Sequence, residues 1–204
     1  MKIRILGSGT SSGVPRIGND WGVCDPGDPR NRRTRASVLV TTETTTILVD
    51  TSPDMREQLQ AKFHYAFFGR ALYRPTVEIA SLPDTLEIGD IRITVADQPH
   101  GGITSAGLRF DSNVKSIGYA TDFHEMTSDM RALYADLDIW VVDALRRAPH
   151  PTHPNLAQVL GWIRELGPRR SALVHMDQSM DYIRLAAELP AGVEPGFDGL
   201  EMLA

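Results

Sequence analysis

Residues 138–175, DIWVVDALRRAPHPTHPNLAQVLGWIRELGPRRSALVH, decide the fold class. The apolar run 138–142 reads as a strand that stops on Asp143. A helix is expected over about 155–166, ended by Gly167 and Pro168, and a second strand over 171–174 stops on His175. Strand, helix and strand in succession make an α/β unit, and each strand hands a polar side chain to its carboxyl end.

Working outward, a helix is expected over 127–135, capped by Thr127 or Ser128, and another over about 180–188 before an acidic tail strand. Ile91, Ile93 and Val95 alternate in a strand that ends just before His100. The stretch 105–123 reads as a hairpin with Asp-Ser-Asn at its turn and Asp122 just past its second strand. Strands at 36–41 and 45–50 flank the threonine-rich TTETTT, and the second ends on Asp50. Ser52, Pro53 and Asp54 start a short helix running to about Leu59. Residues 62–83, with aromatics and breakers together, give only a mixed extended reading. At the other end, Ile3 and Ile5 alternate with Lys2 and Arg4 in a strand cut off by GSGTSSG, and 14–33 forms a long irregular loop. There is no repeat, low-complexity tract or linker, so 1–204 is expected to be one domain, an α/β sandwich with helices outside.

A net charge of −5 argues against nucleic acid or an anionic membrane as partner. No apolar run reaches the roughly 20 residues of a membrane helix, and the apolar stretch in MKIRILGSGT is too short for a signal peptide. The expected location is the cytoplasm. The single Cys24 excludes an internal disulfide framework and a cysteine-rich zinc knuckle.

Polar residues placed beyond successive strands of an open sheet converge, so His100, Asp122, Asp143 and His175 are expected on one edge. Two imidazoles and a carboxylate suit Zn, Mn or Fe and leave positions open for water. Taken alone, each histidine after a strand is more often a hydrogen-bonded structural residue, and spacing alone favours that reading over a metal ligand. The proline-stiffened DALRRAPHPTHP adds Arg146, Arg147, His150 and His153, a set that suits phosphate recognition and acid or base chemistry, or a solvated loop. Asp177 reads as a turn cap, His64 as core or rim, and His124 as exposed. Arg32 and Arg33 in NRRTR either form a solvated cluster or line a phosphoester pocket. GSGTSSG lacks the Gly-Lys-Ser/Thr ending and following helix of a nucleotide loop.

The ordered set ILGSGTSSGVPRIG, CDPGDPRNRRTRAS, ILVDTSPDMREQL, DQPHGGITSAGLRF, GYATDF, DALRRAPHPTH and LVHMD covers nearly the whole chain. It resembles the metallo-β-lactamase-fold hydrolases of the cyclic-phosphodiesterase branch, the group of the phosphoribosyl 1,2-cyclic phosphate phosphodiesterases. The resemblance implies an αββα sandwich and a dinuclear Zn or Mn site that cleaves a small phosphodiester with metal-activated water. By position it makes His100 a ligand of one metal, His175 a ligand of the second, and Asp122 the bridging carboxylate. His153 becomes a phosphate contact or general acid, with Arg146, Arg147, His150, Arg32 and Arg33 as expected substrate contacts.

The family's His-x-His-x-Asp-His run is absent. Its place falls at 60–62, which reads as an internal deletion that shortens the sandwich near residue 61 and removes a core strand, the metal-binding loop after it and a following helix. His100, Asp122 and His175 then give at most a three-ligand set, and weak metal binding is expected. Exposed sheet edges favour a homodimer. Two functions follow as expectations: a reduced metal-dependent phosphodiesterase, or a non-catalytic phosphate-ester-binding or assembly module.

Overall fold

The computed structural model describes residues 1–60 and 80–204. The expected join near residue 61, most of the aromatic stretch after it, and His64 lie outside the described residues. Two sheets face each other. The smaller has the order β11-β1-β2-β3, from Glu201–Leu203 (β11), Lys2–Gly7 (β1), Ser37–Thr41 (β2) and Thr46–Val49 (β3). Its neighbours are antiparallel throughout. The larger has the order β10-β9-β8-β7-β6-β5-β4, from Val193–Pro195 (β10), Arg170–Val174 (β9), Ile139–Asp143 (β8), Lys115–Ala120 (β7), Ile103–Ser112 (β6), Ile91–His100 (β5) and Thr85–Ile88 (β4). From β4 to β7 it is an antiparallel meander. From β7 to β10 it is parallel, and this half carries the helical crossovers.

Alternation decides which side chains meet. Ile3, Ile5, Val38, Val40, Phe110, Ile117, Ile139, Val141 and Val174 form the buried layer between the sheets. Their neighbours Trp140, Val142 and Leu173 turn outward onto the helices Ser128–Tyr134 (α2), Leu156–Leu166 (α3) and Tyr182–Glu188 (α4). On the far side, Leu6 and Leu39 pack with Leu59 of Met55–Gln60 (α1). Helix, sheet, sheet, helix is the layering the family resemblance implies.

Local chemistry sets the ends of these elements. Thr127 caps α2 by accepting from the Met130 amide. Asn155 and Gln158 close a capping box on α3, and Gly167 ends it at φ 64°. The last helix starts two residues later than expected, because Asp181 is its cap and the Met180 carbonyl is taken by Arg33. The tail holds two short strands rather than one, β10 on the larger sheet and β11 on the smaller. No helix among the described residues is long and apolar enough to cross a membrane.

Candidate metal centre

Each strand next to the open edge delivers one polar side chain. His100 closes β5, Asp143 closes β8, His175 follows β9 and Asp122 stands two residues past β7. Asp50 arrives from the other sheet, directly after β3, and accepts a 2.7 Å hydrogen bond from the Tyr119 hydroxyl. Burial and the Asp50 carboxylate push the Tyr119 phenol far up, which keeps it a donor. Asp50, Asp122 and His175 have φ of 61°, 59° and 56°. Such left-handed backbone costs about 1–3 kcal/mol per non-glycine residue and persists where surroundings over-determine it.

Asp122 is the centre of the cluster. Its Oδ1 lies 3.5 Å from His175 Nε2 and 3.9 Å from His100 Nε2. Both spacings are too long for hydrogen bonds, and both are near the roughly 3.4 Å edge of a tetrahedron of ligands centred about 2.0–2.1 Å from each. His100 Nδ1 donates to the Thr152 carbonyl at 2.9 Å, so in the neutral ring Nε2 is a bare acceptor facing a carboxylate oxygen. Two acceptors facing each other call for a cation. Ligand atoms of His100, Asp122 and His153 lie within 4.8 Å of one another, as do those of Asp143, His153 and His175. Asp143 Oδ1 and His175 Nδ1 are buried without a hydrogen-bond partner. Among the described residues the two triads overlap at His153, and each fits one divalent ion with open positions.

Asp143 organises the inner side. It is fully buried, accepts from His153 Nδ1 at 2.8 Å and from the Asp122 amide at 3.1 Å, and stands 3.5 Å from His175 Nδ1. Burial alone would raise its pKa, but His175 and His153 beside it hold the carboxyl below the usual range. Burial likewise pushes the His175 imidazolium down, and Asp143, Asp122 and Asp50 outweigh that to raise its pKa to about 9. The His153 ring stacks on His175 at 4.7 Å and meets His100 edge-on at 4.8 Å.

The structure therefore brings His100, Asp122, His153 and His175 together with Asp143 and Asp50. Asp50 was readable only as a strand end, since its partner Tyr119 is distant in sequence. The expected arginine contacts go elsewhere. Arg33 is buried and donates to the Asp177 and Met180 carbonyls, so it ties loops together instead of lining a pocket. Arg147 forms an exposed double hydrogen bond with Glu188, and Arg146 folds back on the Ala148 and Pro149 carbonyls of its own loop. Arg32 is exposed beside Trp21. His150 stays near the centre, its ring 5.1 Å from that of His153, and burial with His153 and Arg146 lowers its pKa. His124 is half-buried against the Pro99 carbonyl at 2.9 Å instead of exposed, and Asp177 caps its turn through Ser179. A cleft of about 360 Å³, lined by Asp50, Asp122, Thr121, Tyr119, Phe110 and other apolar residues of both sheets, opens beside the centre.

Residues 34–176 match the family described as beta-lactamase superfamily domain. A crystal structure of a diphosphatase from the PhnP family is 27% identical, covers 100% of this chain and 97% of its own, and superposes with a TM-score of 0.88. Zn(II)-bound PqqB from Methylobacterium extorquens is 17% identical, covers 100% of both chains and has a TM-score of 0.77. A Porphyromonas gingivalis protein named octanoyltransferase is 24% identical over 257 residues that take in 100% of this chain. The chain spans about half the length of that relative, 51%. The matched region, at 257 residues against 204 here, is longer in the relative.

Proposed function

Since the chain belongs to the beta-lactamase superfamily and has the metallo-beta-lactamase fold, we propose that it is a metal-dependent hydrolase of a small phosphoester, working with a reduced metal site. The observation that carries the reading is the bare acceptor Nε2 of His100 facing Asp122 Oδ1, with His175 Nε2 on the same oxygen. His100, Asp122 and His175 would hold the ion, Zn or Mn, with His153 beside them. A divalent cation there supplies Lewis-acid activation of water and charge neutralisation at a phosphoryl oxygen.

The chain's own residues do the remaining work. Asp143 keeps a proton on His153 Nδ1, which leaves His153 Nε2 to exchange a proton with a reacting group. His153 is thus the general acid of the proposal. The 360 Å³ cleft suits a small substrate, a phosphodiester or cyclic phosphodiester. A diphosphate is the second candidate, since the similar PhnP-family structure is named a diphosphatase. Because the His-x-His-x-Asp-His run is absent, turnover is slower than a complete two-ion site would give. The setting proposed is one domain over 1–204, the cytoplasm, a homodimer, and no nucleic acid or membrane partner.

The competing reading is a binding or assembly module without catalysis, favoured by the missing ligand run. Metal per chain by elemental analysis, with hydrolysis of bis(p-nitrophenyl) phosphate alongside, decides between them. About one equivalent of metal, lost with activity in His175→Ala, is expected. Activity that survives in His175→Ala removes the metal mechanism, and metal-free protein that binds inorganic phosphate favours the module.

A further inference from the structure

The centre has an underlayer that neither the proposed ligands nor His153 includes. Asp122 carries its carboxylate on a left-handed backbone, at φ 59°, and its peptide is clamped at both ends. Its amide donates to Asp143 Oδ2 at 3.1 Å, and its carbonyl accepts from Ser105 Oγ at 2.7 Å. Behind Ser105 lies a buried relay. Gln98 Nε2 donates to Ser105 Oγ at 3.0 Å and to the Thr121 carbonyl at 2.9 Å, while its Oε1 accepts from the Tyr134 hydroxyl at 3.0 Å. Gln98 and Tyr134 are both fully buried. Gly107 leaves the room for this relay, since a Cβ there would stand 2.3 Å from the Tyr134 hydroxyl and 2.8 Å from Gln98 Oε1.

Gln98 gives its two amide protons to Ser105 Oγ and the Thr121 carbonyl, so Ser105 accepts from Gln98 and its single proton goes to the nearer carbonyl, that of Asp122 at 2.7 Å against 3.3 Å for Thr121. The Tyr134 hydroxyl stands between two acceptors, Gln98 Oε1 at 3.0 Å and the Tyr119 carbonyl at 3.1 Å. The network reaches Asp122 from α2 through Tyr134, and from β5 and β6 through Gln98 and Ser105.

We propose that Ser105 and Gln98 are positioning residues for the metal centre: they hold the Asp122 peptide in its left-handed turn so that the carboxylate stays between His100 and His175. The inference rests on the metal-site reading above. It separates from that reading because Ser105 and Gln98 contribute no ligand.

The test compares Zn(II) affinity of the full-length parent, Ser105→Ala and Ser105→Thr, by competition with a chromophoric chelator. Metal-free melting temperatures are taken on the same samples. Ser105→Ala should bind Zn(II) about ten- to a hundredfold more weakly at an unchanged metal-free melting temperature, and Ser105→Thr, which keeps the hydroxyl, should restore the parent value. Ser105 is half-buried beside open clefts, which leaves space for the added methyl group. If Ser105→Ala does not fold, Ser105→Cys makes the same comparison, because a thiol is a weak donor. Parent-like affinity in the alanine variant overturns the positioning role and leaves the metal site standing. A loss that follows the metal-free melting temperature and is not rescued by threonine also overturns it. A parent that binds no Zn(II) overturns the metal-site reading and this inference with it.

Discussion

Nδ1 of His153 donates a 2.8 Å hydrogen bond to Oδ2 of Asp143, a carboxylate with no solvent exposure at the end of a central parallel strand. Their separation of ten positions spans a whole loop, so the dyad exists only because β8 and the proline-stiffened segment fold back on each other. Asp143→Asn removes the charge that holds the proton on Nδ1. Hydrolysis of bis(p-nitrophenyl) phosphate should fall about a hundredfold or more in Asp143→Asn and in His153→Ala. The two act as a unit, so the double variant should be no worse than the weaker single one. Multiplicative losses in the steady-state rates would break the dyad into two separate roles.

Arg33 offers a direct contrast between a substrate role and a structural one. Its guanidinium bridges the Asp177 and Met180 carbonyls and the Asn31 side chain, and burial lowers its pKa. Arg33→Ala strands those acceptors and should cost more than about 2 kcal/mol in urea unfolding. A variant of full stability with a raised KM would return Arg33 to the substrate pocket.

The strand ends were legible because β-structure announces itself by alternation, and the polar residue that breaks the run is the one that reaches the edge. His100, Asp122, Asp143 and His175 were all readable in that way. What each does was not. Nothing near Asp143 in sequence says that it faces His153 and His175 at once, and nothing near Asp50 points to Tyr119. Arg33 and Arg147 were not legible for a related reason: charge composition says that a guanidinium needs partners, but the Asp177 and Met180 carbonyls and Glu188 that occupy them come from distant segments. The helix before the tail began late because Arg33 claims the Met180 carbonyl, again a contact that no local propensity encodes.

Gly118 in β7 is closely covered by the end of α2, the turn after it and the neighbouring strand β8. A Cβ there would stand 2.4 Å from Leu137 Cδ1, 2.9 Å from Trp140 Cδ1 and 3.0 Å from Tyr134 Cδ1. All three neighbours are fully buried and have nowhere to move. Gly118→Ala should destabilise by about 1–3 kcal/mol by overpacking, although alanine suits a strand interior no worse than glycine does. Equilibrium denaturation that shows no loss would mean this layer is looser than its contacts indicate.

Asp181 links the long N-terminal loop to α4. Oδ1 accepts from the Arg184 amide as the helix cap, while Oδ2 accepts from the Asp25 amide and from Asn31 Nδ2. Burial would raise its pKa, and these hydrogen bonds outweigh it and hold the carboxyl below its ordinary value. A carboxylate whose folded pKa is depressed stabilises the fold fully above its unfolded pKa of about 3.9, and that contribution is lost as pH falls through this value toward the folded one. Asp181→Ala should cost about 1–2 kcal/mol at neutral pH, as a lost cap does. Asp181→Asn should lose less stability than the parent between about pH 5 and pH 3, because it has no proton to take up there. Urea midpoints across that range measure the difference directly, and parallel curves for parent and Asn variant would show that the charge of Asp181 does not hold the loop to the helix.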